Sequence, residues 1–224
     1  MRLVVTDITQ MGPKLYCLAG WDLDNKNMVR PLPNGKNWSR DVIDKNNVQV
    51  GSIIHVQSTG THKANFPHLT EDVEINASNI KLEKDRFTDW LGDDGPEGFS
   101  DLNAAFSGNI KYNKEFKGCK QGVYVPINTQ CKSLIGMNIP TRSLEFFPNN
   151  FDVKKLKVRL KDESSHYEMS VSSHRLKSIY GQGGIEAINS TIAGADYVHV
   201  RIGLARAWED NPEKCFAMLN EVHC

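Results

Sequence analysis

The segment KKLKVRLK at positions 154–161 alternates between apolar and cationic residues more strictly than any other part of the chain. Leu156, Val158 and Leu160 alternate with the cations Lys155, Lys157, Arg159 and Lys161, and Lys154 precedes them. Successive side chains of a β-strand point to opposite faces, so this period of two predicts a strand with one buried face and one cationic face.

Short apolar segments separated by turn residues recur along the chain and predict further strands. Residues 15–20 form a hairpin with the N-terminal strand, and short strands follow near residues 28–30 and 51–58. In the second half, strands are expected at 122–127, 144–147, 166–171, 196–205 and 215–222. Several short strands joined by tight turns predict a mainly β fold, a β-rich α+β class made of small barrels with short helical insertions.

Helices are expected in only a few places. Residues 84–91 read as a short helix, and residues 101–106 as a helical turn. A longer helix is predicted at 174–192, where Gly181, Gly183 and Gly184 divide it into two pieces. We place a domain boundary near residue 107, which gives an N-terminal domain of residues 1–106 with an acidic connector and a C-terminal domain of residues 107–224.

Composition is that of an ordinary water-soluble protein. The 224 residues include 27 basic and 27 acidic side chains, and 39% are hydrophobic. No apolar run approaches the roughly 20 residues that cross a bilayer, and the first residues lack the features of a signal peptide. The five cysteines form no Cys-x-x-Cys pair. We therefore expect a reduced, cytoplasmic protein without contact to a membrane.

The net charge is zero, but acidic and basic residues are concentrated in different segments of the chain. Residues 67–106 carry 3 basic and 10 acidic side chains, whereas residues 107–161 carry 11 basic and 3 acidic ones. Two interpretations fit this pattern. The blocks pair with each other or simply face solvent, or the basic block forms a patch for an anionic partner such as nucleic acid.

No motif in the sequence indicates a metal, a cofactor or a catalytic residue. The seven histidines lack the spacings of common metal sites. The glycine cluster at 181–184 lacks the lysine of a phosphate-binding loop and is better explained as a helix break. There is no Gly-x-Ser-x-Gly elbow. A nucleophile and a base that lie far apart in sequence would leave no such motif.

Three groups of residues are candidates for nucleic-acid contact. The cations Lys155, Lys157, Arg159 and Lys161 recur about 6.6 Å apart on one strand face and could follow a phosphate backbone. Arginines also lie near tryptophans, which suits phosphate contact and base stacking. These are Arg30 with Trp38, and Arg201 and Arg206 with Trp208. The alternatives are an ordinary charged sheet face and tryptophans packed at a domain interface.

Segments near both ends of the chain are similar to those of a known protein family. The N-terminal part reads AGWD at 19–22 and VRPLP at 29–33, and the C-terminal part reads VHVRIGLARAW at 198–208 followed by CFAMLN at 215–220. Together these resemble the prokaryotic dual OB-containing domain family. The resemblance implies two OB-like barrels and nucleic-acid binding, often in prokaryotic defence or conflict systems. Arg30, Arg201 and Arg206 match the arginines of these segments.

Three hypotheses follow for the function. The first is a non-catalytic nucleic-acid-binding protein that prefers single strands of DNA or RNA, binds more weakly as salt rises, and has a protein partner in a multi-component system. The second is a pocket for a nucleotide or another small anionic ligand, acting as a sensor or an enzyme. The third is a protein-interaction role for the acidic segment 67–106.

Overall fold

The computed structural model describes residues 1–61, 63–86 and 96–224. The chain divides into two units, Met1–Pro96 and Glu97–Cys224. Each unit has its own sheet system and its own hydrophobic core. Among the described residues, the helices are short or polar, and none could extend across the apolar interior of a bilayer.

The first unit is almost entirely β structure. Its elements are β1 (Arg2–Gln10), β2 (Leu15–Asp22), β3 (Asn27–Pro33), β4 (Trp38–Ser39), α1 (Arg40–Lys45), β5 (Ser52–His55), β6 (Ser58–Thr61), β7 (Asp72–Ile75) and β8 (Lys81–Arg86). The strand order is β6-β7-β3-β2-β1-β5-β8, and β4 also pairs with β2. The predicted hairpin of β1 and β2 is confirmed by their antiparallel pairing.

The second unit has a larger, mixed sheet. Its elements are β9 (Gly98–Phe99), α2 (Leu102–Ala105), β10 (Lys111–Phe116), β11 (Cys119–Pro126), β12 (Leu134–Pro140), β13 (Leu144–Pro148), β14 (Leu156–Lys161), β15 (His166–Val171), α3 (His174–Ile192), β16 (Tyr197–Leu204) and β17 (Lys214–His223). The strand order is β13-β14-β15-β11-β17-β16-β12-β9, with β10 paired to β11 and a further pairing of β15 with β17.

Strand β14 confirms the alternation of the sequence. Leu156, Val158 and Leu160 are buried in the core of the second unit. Lys157 and Arg159 lie on the opposite face of the sheet. We call this opposite face, which lies away from the core, the outer face of the second sheet.

Gly122 reverses the alternation in the middle of β11. Its φ of +63° belongs to the left-handed region, which glycine adopts without steric cost. Before it, Gln121 pairs in register with Glu168 on the outer face; after it, Val123 and Val125 point into the core. The reversal places both Gln121 and Tyr124 on the outer face.

Helix α3 consists of two pieces, as the glycines predicted. The backbone at Gly184 has a φ of +67° and leaves the helical region. The N-terminus of α3 is capped by Ser173, whose hydroxyl accepts a hydrogen bond from the backbone N–H of Leu176 at 3.0 Å.

Two features differ from the sequence-based expectations. Residues 84–86 of the expected helix 84–91 belong to strand β8, which pairs with β5, and residues 87–91 lie outside the described residues. The units divide between Pro96 and Glu97, earlier than the expected boundary near residue 107. The reason is that Leu102, Ala105 and Phe106 are buried in the second core.

Candidate functional site

A groove of about 520 Å³ lies on the outer face of the second sheet. It is lined by aromatic, cationic and amide side chains, together with one carboxylate. The lining residues are Asn113, Lys114, Phe116, Gln121, Gly122, Phe147, Asn149, Asn150, Phe151, Lys157, Arg159 and Glu168.

Register places one row of polar side chains across five strands of this sheet. Direct pairings join Glu145 of β13 to Arg159 of β14, Arg159 to Glu168 of β15, Glu168 to Gln121 of β11, and Gln121 to Lys114 of β10. Side chains opposite each other on neighbouring strands lie close together on one face. We call these five residues the polar row; all but Glu145 line the groove.

Carboxylates balance the two cations that β14 contributes to the groove. Both oxygens of Glu145 accept hydrogen bonds from Arg159 Nη1, at 3.1 and 3.0 Å. Lys157 Nζ lies 3.7 Å from an oxygen of Glu168. Lys114 has no carboxylate within ion-pair distance among the described residues, so its charge is the one most available to a bound anion.

Three phenylalanines give the groove exposed aromatic surface. Phe116 is 61% exposed and Phe151 is fully exposed. The guanidinium of Arg159 lies over the ring of Phe147, 4.3 Å from its centre. Exposed rings cost free energy in water and are common at binding surfaces. Beside cations, such rings suit the stacking of unpaired bases.

An aromatic row continues from the groove across the outer face. Tyr124 and Phe216 have ring centres 5.8 Å apart, and those of Phe216 and Trp208 are 5.3 Å apart. Lys214 connects this row with the groove, because its Nζ lies 5.0 Å from the centre of the Tyr124 ring and donates a hydrogen bond to Asn113 Oδ1. Trp208, predicted as a stacking residue, is 45% exposed at the end of the row.

Two of the predicted site residues lie in the interior of the first unit. Arg30 is buried and forms an ion pair of 2.6 Å with buried Asp72. Trp38 is 1% exposed, and its indole N–H donates to the backbone oxygen of Pro31. Removing one partner of a buried ion pair is strongly destabilising. Both residues therefore serve the stability of the first unit.

Arg201 is also buried, in a polar layer of the second unit. Its strand neighbour in β17 is buried Glu221, whose carboxylate accepts hydrogen bonds from Arg175 and from Ser173. Burial raises the pKa of Glu221. His199 Nδ1 lies 2.7 Å from Asn138 Oδ1. Burial, together with the charges of Arg201 and His223, lowers the pKa of His199 to about 3, so its ring is neutral at pH 7.

The remaining predicted cations lie at the surface outside the groove lining. Lys155 precedes β14 and lies 3.5 Å from the carboxylate of Asp152. Lys161 is exposed at the end of β14, and Arg206 is exposed in the segment after β16. Of the four cations predicted on the outward face of segment 154–161, the groove therefore brings together only Lys157 and Arg159.

Sequence reasoning missed several residues of the groove. The aromatic residues Phe116, Phe147 and Phe151 all lie in the basic block 107–161, and this coincidence of rings and cations was the available signal. Gln121 and Glu168 carried no comparable signal, because only the register of β11 and β15 brings them together. Among the described side chains, no group of three or more His, Cys, Asp and Glu residues could hold a metal ion.

Comparison with known proteins identifies the class of this chain. The family model described as the dual OB-containing domain matches residues 1–222. The chain therefore belongs to the dual OB-containing domain family, which confirms both the resemblance and the predicted fold class, a mainly β chain of two OB-like parts with short helices.

Other comparisons add little to this assignment. No curated protein matches the chain. Among solved structures, the crystal structure of the tetrameric p202 HIN2 is similar with a TM-score of 0.35 and 9% sequence identity, over 100% of this chain and 91% of that chain. A similarity of this size supports no argument about the present protein.

Proposed function

We propose that the groove of the second unit binds single-stranded nucleic acid without catalysis. The observation that carries this proposal is the presence, in one groove, of Phe116, Phe147 and Phe151 beside three cations, Lys114, Lys157 and Arg159. Single-strand-binding OB folds use the same combination of stacking rings and backbone-tracking cations.

The ligand we propose is a strand and not a single nucleotide. The aromatic row of Tyr124, Phe216 and Trp208 adjoins the groove through Lys214 and Asn113, so the ring surface extends beyond it. A mononucleotide could use only one part of this surface. The buried residues Arg30, Trp38 and Arg201 are not part of the proposed interface, whereas Arg206, Lys155 and Lys161 remain candidates at its periphery.

The cations in the groove imply a moderate dependence on salt. Each phosphate contact to a single strand contributes a slope of about −0.7 to log K against log salt. Three contacts give a slope of about −2, so affinity should fall roughly tenfold to twentyfold between about 50 mM and 200 mM salt. This slope is an upper bound, because carboxylates already balance Arg159 and Lys157; a contact to Lys114 alone would give about −0.7.

The substitution Phe151→Ala tests whether the groove binds single strands by stacking. The ring is fully exposed, so its removal should leave folding unchanged. Stacking of one base is worth about 1–3 kcal/mol, so the affinity for a single strand should fall about tenfold. Tyr197→Ala removes another exposed ring, 66% exposed on β16 and outside the groove, and should bind like the wild type.

The measurement is fluorescence anisotropy with labelled single strands and duplexes of DNA and RNA at both salt concentrations. Tighter binding of single strands, weakened in Phe151→Ala and unchanged in Tyr197→Ala, would support the proposal. Absence of binding to all four ligands at low salt would overturn it, as would equal affinities of the two variants. A prokaryotic origin, a role in defence, a cytoplasmic location and a protein partner stay predictions of the sequence analysis.

A further inference from the structure

The polar row is electrically balanced. In the polar row, the charged side chains alternate in sign from Glu145 to Arg159 to Glu168, and neutral Gln121 separates Glu168 from Lys114. A phosphate group placed over the middle of the row would meet the carboxylate of Glu168. The phosphates of a bound strand therefore fit near Lys114 better than over Glu168.

Glu168 is held in one position by its neighbours. Gln121 Nε2 donates a hydrogen bond of 2.9 Å to Oε2, and Lys157 Nζ lies 3.7 Å from Oε1. The side chain is only 15% exposed, and it lines the groove. An ionised carboxylate has about four acceptor positions, so Glu168 keeps capacity for a donor from a ligand.

We propose that Glu168 makes the groove prefer cytosine over uracil and thymine, an inference that rests on the proposed binding of single strands. The exocyclic amino group of cytosine donates hydrogen bonds, and carboxylates are its matching acceptors. Uracil and thymine present a carbonyl oxygen at the same ring position, and this oxygen repels a carboxylate. Gln121 and Lys157 fix the orientation of Glu168 and so support the discrimination.

The test compares two ligands that differ at this ring position. Labelled oligodeoxycytidine and oligodeoxyuridine of about 12 nucleotides are titrated by fluorescence anisotropy at slightly alkaline pH, where cytosine is unprotonated. The wild type should bind the cytidine strand about tenfold more tightly. Glu168→Gln should bring the two affinities close together. Glu145→Gln makes the same change of charge at the end of the polar row and should keep the preference.

The possible results separate this inference from the function on which it rests. Tight but equal binding of both strands by the wild type would overturn the cytosine preference and leave the single-strand function standing. A preference that survives in Glu168→Gln would overturn the role of Glu168. Binding of neither strand, nor of any other single strand, would overturn the proposed function itself.

Discussion

Burial distinguishes Arg159 from Arg30 and Arg201. Arg159 lies over Phe147 at the surface, whereas Arg30 and Arg201 lie in the interior of their units. In the sequence, all three lie close to aromatic or apolar residues, and nothing local distinguishes them. The strand alternation correctly separated Lys157 and Arg159 from the core, because a period of two reports which face is buried. It could not show which cations have carboxylate neighbours, because those come from other strands.

Neutral His199 makes the stability of the second unit depend on pH. Its pKa of about 3 lies below the ordinary value of 6.5, so the unfolded chain binds a proton that the folded protein does not. Stability is therefore greatest above pH 6.5 and falls as the pH decreases from 6.5 toward 3. One such group contributes a slope of up to about 1.4 kcal/mol per pH unit.

We expect His199→Asn to flatten this dependence. Asparagine keeps an amide that can hydrogen-bond Asn138 but has no proton to gain in this range, although the smaller side chain will lower stability at neutral pH. Urea unfolding of both proteins at a series of pH values between about 4 and 7 gives the slopes. Equal slopes for the variant and the wild type would show that His199 does not cause the pH dependence.

At the scale of the elements, the sequence predicted those strands whose buried and exposed residues alternate regularly. Strand β14 alternates strictly and was predicted almost to its ends. Strand β12 was missed because it is buried on both faces and its sequence LIGMNIP has no period of two. Strand β10 was missed for the opposite reason: all six of its residues are exposed, so no alternation exists. The groove needs β10, which is why the sequence could not locate it.

Replacement of Gly122 should damage both the sheet and the groove. A Cβ atom at this position would lie 2.5 Å from Asn113 Nδ2, and the φ of +63° is unfavourable for other residues. We expect Gly122→Ala to lower the free energy of unfolding by at least the roughly 1–2 kcal/mol of left-handed strain, because the Asn113 side chain must also shift to make room for the Cβ atom. Single-strand affinity should fall as well, because Gly122 holds Gln121 on the outer face.

Gly118 offers a matched control for this substitution. It lies in the turn between β10 and β11 with a φ of +75°, and a Cβ atom there would meet no other atom within 4 Å. Gly118→Ala should therefore show only the backbone strain, about 1–2 kcal/mol, with unchanged binding. Chemical denaturation and anisotropy measure the two effects. Equal losses of stability and of affinity in Gly122→Ala and Gly118→Ala would mean that the contact with Asn113 contributes to neither.

At the scale of the whole molecule, the sequence predicted the fold class, and the two compact units divide earlier than the boundary expected near residue 107. The expected boundary near residue 107 followed the change in charge from the acidic to the basic segment. Packing follows apolar residues instead, and Leu102 and Phe106 lie within the acidic segment while belonging to the second core. The backbone N–H of Leu102 also donates to Asp162 in the second unit. Charge counts could not reveal these contacts.

Two fragments test the position of the boundary. Residues 97–224 contain the whole second core and should unfold in one cooperative transition when made alone. Residues 107–224 lack Leu102, Ala105 and Phe106. The burial of each large side chain is worth about 1.5–3 kcal/mol, a large part of a typical total of about 5–15 kcal/mol. Circular dichroism during heating should show a much lower midpoint for the shorter fragment, and equal midpoints would argue for the later boundary.

On the proposed function, the ion pairs of the groove also favour unpaired strands over duplex DNA and RNA. Arg159 and Lys157 already have carboxylate neighbours, so a passing polyanion gains little by approaching them. Non-specific attraction to nucleic acid grows with the number of phosphates that a protein neutralises. A surface whose cations already have carboxylate partners should bind duplex weakly. Duplex would then compete poorly with single strands for the groove. Occupancy of the groove would then follow the supply of unstacked bases.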